Sequence, residues 1–200
     1  MSVFQVDPVT GVSLGADLNE PTVTVGMLSP EAFALAAITI PALSGYSDYE
    51  DWRDAREGLQ MGLAFAGVDA ELTPVSLTAL LAWSRLAKIE PDETALDRLA
   101  ALARAVRLAP RAVALATFTR RDFEDWVDRR DATCDARDFD DWRRRRRARR
   151  AELIAAGTGV FELPVRLDDV VAWCVCLGRP ACENSLDAYA ELMLELLAAD

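Results

Sequence analysis

The chain of 200 residues has no histidine, and its 22 basic residues include one lysine, Lys88. Without histidine, Ser-His-Asp and Cys-His nucleophile systems are excluded, as is every metal site that needs an imidazole. Glycine and proline are scarce, at 10 and 9 residues, too few for a disordered chain. No G-x-G-x-x-G or G-K-[ST] stretch provides a phosphate loop. The longest quiet run, AFALAAITIPAL, is too short to span a bilayer. MSVFQVDPVTG has no basic region leading into an apolar one, so no signal peptide is expected. The protein is therefore expected to be cytoplasmic, with no membrane contact.

Cysteine is also sparse, at four residues: Cys134, Cys174, Cys176 and Cys182. Cys174 and Cys176 stand two apart on an expected helix and point about 200° away from each other. They cannot share one ion without breaking that helix, and Cys174 continues the apolar stripe Leu167, Val170, Val171. The cysteines read as small core hydrophobes. No metal and no cofactor are expected.

What is present is apolar and acidic. The 52% apolar fraction supports a packed core, and the net charge of −11 disfavours nonspecific contact with nucleic acid or anionic lipid. The charge is uneven, because residues 104–150 form a basic middle between two acidic flanks.

At an offset of 90, DYEDWRDAREGLQMGLAFAGVDAELTPVSLTALLAW lies without a gap on DFDDWRRRRRARRAELIAAGTGVFELPVRLDDVVAW. Asp48, Asp51, Trp52, Arg53 and Arg56 match Asp138, Asp141, Trp142, Arg143 and Arg146. Pro74-Val75, Ala82-Trp83 and Leu96-Asp97 match Pro164-Val165, Ala172-Trp173 and Leu186-Asp187. The expectation is an internal duplication: a leader or small β-hairpin over 1–20, a helical repeat over 21–107 and a second over 111–200. The helix signals support it. Ser29-Pro30-Glu31 and Thr119 with Asp122 read as helix starts, and Gly67 reads as a stop. Tyr49, Trp52, Leu59 and Leu63 make an apolar stripe at helical spacing. The expected fold class is thus all-α, two tandem homologous helical bundles that share one core or stand as two.

Two features are candidate sites. The first is the run at 143–150, whose Arg143, Arg144, Arg145, Arg147 and Arg150 form a face for an acidic protein partner. The same run is also satisfied by pairing within its own helix, as Asp140 with Arg144 and Asp141 with Arg145. Its acidic flanks argue against nucleic acid. The second is the repeated pattern of Asp48, Asp51, Trp52 and Arg56 with Asp138, Asp141, Trp142 and Arg146. Each Arg falls one turn after its Trp, at the spacing of a cation–π contact, with an Asp available to satisfy it. That pattern reads as a structural clasp, or as the wall of a pocket between the repeats. The acids Asp122, Glu124, Asp125 and Asp128 suggest a carboxylate metal site, but Arg129 and Arg130 adjoin them.

The expected function is that of a non-enzymatic, acidic helical adaptor or regulator acting through protein–protein contact. Two other classes stay open: a small-molecule-binding or enzymatic protein with a pocket between the repeats, and an acidic nucleic-acid mimic. Homo-oligomer formation is left open by the sequence.

Overall fold

A computed structural model describes residues 22–109, 111–129, 132–133 and 135–198. The leader or hairpin expected over 1–20 and Cys134 lie outside them. The chain divides into two compact units, carried mainly by Ala16–Leu108 and Ala109–Glu195.

In the first unit the order is β1 (Val23–Met27), α1 (Pro30–Thr39), a 3-10 turn (Pro41–Leu43), α2 (Tyr49–Phe65), β2 (Ala70–Pro74), α3 (Leu77–Ala87) and α4 (Glu93–Leu108). β1 and β2 pair in parallel, from Val23 opposite Ala70 to Met27 opposite Pro74. The link between them must cross over, and α1 and α2 supply the crossover. α4 lies against β1, and Gly26 permits it. A Cβ at position 26 would stand 2.7 Å from the Leu96 carbonyl oxygen. Val25, Trp52, Leu80, Leu96, Leu99 and Ala100 make the core. Each large apolar side chain buried there contributes about 1.5–3 kcal/mol. Phe33 stacks on Trp52 with centroids 5.1 Å apart, joining α1 to α2.

In the second unit the order is β3 (Ala112–Thr117), α5 (Arg120–Val127), β4 (Ala132–Thr133), α6 (Phe139–Ala155), β5 (Gly159–Pro164), α7 (Leu167–Cys176), β6 (Ala181–Cys182) and α8 (Glu183–Ala198). β3 pairs with β5 and β4 with β6, both in parallel. Its core is aromatic: Phe118, Phe123 and Phe139 each lie with ring centroids 5.7–5.8 Å from Trp142.

The all-α expectation is corrected by these strands. The described residues form a mixed α/β fold with eight α-helices and three short parallel strand pairs, rather than two tandem homologous helical bundles. No evidence of a repeat beyond the sequence pattern accompanies the fold. The physical reason for the misreading is the strands themselves. VTVGM and AVALAT are buried at consecutive positions, so they lack the alternation of a half-exposed strand. Parallel pairing also leaves no hairpin turn in the sequence to mark it.

The helix starts follow local chemistry. The Ser29 side chain accepts from the Ala32 amide, and Thr119 and Asp122 form a reciprocal capping box. α2 is capped by Asp48, whose side chain accepts from the Asp51 amide. Thr73 and Pro74 end β2, and Ser76 caps α3. Gly67, at φ 78°, follows the end of α2 in the left-handed region that glycine adopts freely.

Candidate functional site

The repeated Trp/Arg pattern organises the interior of each unit. In the first unit α2 places Trp52 and Arg56 one turn apart, and both are buried. Arg56 Nε donates to the Gly26 carbonyl at 3.3 Å, and the guanidinium pairs with Asp97 of α4. Asp97 Oδ1 also accepts from the Gly26 amide at 2.8 Å. Burial pushes the Asp97 carboxyl above its ordinary value, opposed by the Gly26 amide and the Arg56 charge. One turn earlier on α4, Glu93 Oε1 accepts from Tyr46 Oη at 3.0 Å and from Trp52 Nε1 at 3.1 Å. Arg56 and Asp97 thus satisfy the carbonyl and the amide of Gly26 and tie the end of β1 to α2 and α4.

In the second unit Arg146 of α6 donates to the Ala116 carbonyl at 2.9 Å and pairs with Asp187 of α8, which accepts from the Ala116 amide at 3.0 Å. Arg146 Cζ lies 5.8 Å from the centroid of the Trp142 ring. Trp142 Nε1, Arg146 Nε and Glu183 Oε1 are buried without a hydrogen-bond partner. Asp48, Asp51, Asp138 and Asp141 do other work. Asp48 and Asp138 accept from the amides of Asp51 and Asp141, capping α2 and α6. Asp51 and Asp141 reach back to the amides of Ser47 and Arg137. The acids that satisfy the buried arginines are Asp97 and Asp187, each 41 residues downstream. Their match at offset 90 was the available signal, but nothing local linked them to Arg56 and Arg146.

The α6 run divides by position. Arg146 is buried, while Arg143, Arg144, Arg145 and Arg147 are exposed and Arg150 is half-buried. Arg144 and Arg145 both pair with Asp141, at 2.8 and 3.2 Å. Arg150 reaches Glu162 of β5 at 3.5 Å. Arg143 lies over the Phe139 ring at 5.6 Å, beside Arg120 at 5.0 Å on the same ring. Arg143 and Arg147, one turn apart, have no carboxylate partner among the described residues. Asp140, expected to pair with Arg144, meets Arg120 at 3.3 Å.

A cavity of about 540 Å³ opens in the first unit. Met27 and Pro74, at the carboxyl ends of the paired strands, line it with Leu28, Val75, Leu35 and Leu77. The indoles of Trp52 and Trp142 are buried. Among the described residues, no cluster of three or more Cys, Asp or Glu is arranged to hold a metal ion, and no helix is long and apolar enough to cross a membrane. No protein-family model, curated protein or solved structure matches the chain.

Proposed function

We propose that the protein is a non-enzymatic adaptor or regulator of the cytoplasm that binds an acidic protein partner through the exposed arginines of α6. One observation carries the reading: Arg143 and Arg147 project from one helix face with no carboxylate among the described residues to neutralise them. Their guanidinium forks suit carboxylate or phosphate groups held in pairs. Arg144, Arg145 and Arg150 are engaged within the unit and contribute field rather than open donors. The buried Arg56 and Arg146 serve as clasps. The test is a tagged pull-down of the whole chain against an R143Q/R147Q variant, with Arg146 left in place. One stoichiometric acidic protein, present with the parent chain and absent with the variant, is the expected result. Nucleic acid that co-elutes and is lost at moderate salt would overturn it.

A second reading rests on the cavity at the carboxyl ends of β1 and β2. A concave, mainly apolar site outside parallel strand ends is where small ligands commonly bind. Thermal stabilisation of the chain by an apolar metabolite, lost on L77W substitution, would favour this reading. A flat screen would remove it.

A further inference from the structure

Phe139 opens α6 and is buried, at 9% exposure. The core fixes the orientation of its ring, which stacks on Trp142 with centroids 5.7 Å apart and meets Phe123 at the same distance. Two arginines from different helices reach this ring. Arg120 of α5 brings Cζ to 5.0 Å from the centroid, and Arg143 of α6 brings Cζ to 5.6 Å. Both distances fall within cation–π range. Stacking holds the flat face of a guanidinium, while its N–H edge keeps donors for an anion. Arg147 follows Arg143 one turn later on the same exposed face of α6.

Neighbouring carboxylates set the charge of this patch. Arg120 uses Nη2 on Asp140, at 3.3 and 3.4 Å from its two oxygens. Asp125 pairs with Arg121, Asp141 with Arg144 and Arg145, and Glu162 with Arg150. Arg143 and Arg147 meet no carboxylate among the described residues. Three guanidiniums against the one carboxylate of Asp140 leave two positive charges around the Phe139 ring and the next turn of α6. A lone carboxylate from a partner neutralises only part of that surplus. A phosphomonoester carries about −1.5 to −2 at neutral pH, with three acceptor oxygens for the guanidinium forks. A nucleic-acid strand or an anionic bilayer presents an extended run of charge instead. The acidic groups bordering the patch and the net charge of −11 oppose such a surface.

We propose that Arg120, Arg143 and Arg147 bind a phosphorylated side chain of the partner protein, with the Phe139 ring holding two of the three guanidiniums in place. The site rests on the adaptor reading and narrows its partner from an acidic protein to a phosphorylated one. The phosphate oxygens accept from Arg143 and Arg147 on α6 and from the Arg120 nitrogens that Asp140 leaves open. Without the phosphate the partner offers a neutral hydroxyl, which the arginines cannot pair with as an ion. Docking is therefore switched on by phosphorylation of the partner and off by its removal.

Two measurements on the full chain test it. The first titrates phenyl phosphate, dimethyl phosphate and acetate into the chain and follows the arginine Nε–Hε signals by NMR. Phenyl phosphate is expected to shift Arg120, Arg143 and Arg147 together along one saturable curve. It is expected to bind several-fold tighter than dimethyl phosphate or acetate, and R143Q to weaken it several-fold. R144Q removes the same charge from the same helix and is expected to leave binding nearly unchanged, because Asp141 engages Arg144. Equal affinity for phenyl phosphate and acetate, or an equal loss in R144Q, overturns the phosphate site. The second measurement repeats the pull-down with lysate treated with a broad-specificity phosphatase. The expected partner is lost both from R143Q/R147Q and after phosphatase, and its phosphorylated peptide binds the chain where the unphosphorylated form does not. A partner lost from the variant yet indifferent to phosphatase overturns the phosphate site and leaves the adaptor reading standing. An RNA oligonucleotide that binds tighter than the phosphopeptide overturns it as well. Capture of no protein removes the adaptor reading and the phosphate site with it.

Discussion

Arg146 Nη1 donates to Asp187 Oδ2 at 2.8 Å, joining α6 to α8 across 41 residues, and both side chains also bind the backbone of Ala116. A single buried pair thus fixes a strand between two helices. Removing one partner leaves the other charge buried and unpaired, which costs more than the pair itself contributes. R146M or D187N is expected to destabilise the fold by about 3 kcal/mol in urea titration, and the double variant by less than the sum of the two. Additive losses would show that the residues act separately.

The exposed neighbours on α6 behave differently. Arg143 and Arg147 touch no carboxylate among the described residues, and surface substitutions of this kind stay within about 0.5 kcal/mol. R143Q/R147Q is expected to unfold at the same denaturant concentration as the parent chain while losing its partner. A large shift in the midpoint would assign those arginines a structural role.

Glycines separate close approach from mere flexibility. At Gly26 an added Cβ meets the Leu96 carbonyl at 2.7 Å, and backbone cannot swing aside. G26A is expected to destabilise the chain by about 1–3 kcal/mol, as overpacking does. Gly58 lies within α2 with open space around it, so G58A is expected to stabilise by about 0.5–1 kcal/mol. Thermal melts of the two variants should move in opposite directions.

Asp141 gives a pH signature. The Arg137 amide first, and then the Arg144 guanidinium, hold its carboxyl below the ordinary 3.8. Its folded value is depressed, so its contribution is present above 3.8 and is lost as pH falls through the lower folded value. The difference in melting temperature between the parent chain and D141N is expected to be constant near neutrality and to shrink below that window. A difference independent of acid would mean that Asp141 holds the Arg137 amide without help from its charge.

Much of the local structure was legible. Ser29, Thr119 and Asp122 mark helix starts, because a side-chain acceptor placed just before a helix satisfies its free amides. Trp52 and Arg56 fall on one face because helical spacing puts them there. The candidate site was legible in part. Arg56 and Arg146 stood out by their repeated spacing, and the α6 arginines by composition. The partners of the buried arginines did not stand out, since Asp48 and Asp51 are nearer in sequence yet cap the helix.

The sequence by itself determined the helices, the caps at Ser29 and Thr119, the charge pattern and the absence of histidine chemistry, because each depends on residues within a turn or two of one another. Only the tertiary structure decided that short apolar links are parallel strands and that Asp97 and Asp187 hold the arginines. Each of those rests on contacts between segments distant in the chain. Val23 meets Ala70 and Ala112 meets Gly159 only after a helical crossover has folded back. Such pairings carry no local period or turn signal, so they become visible only when the core that buries them has formed.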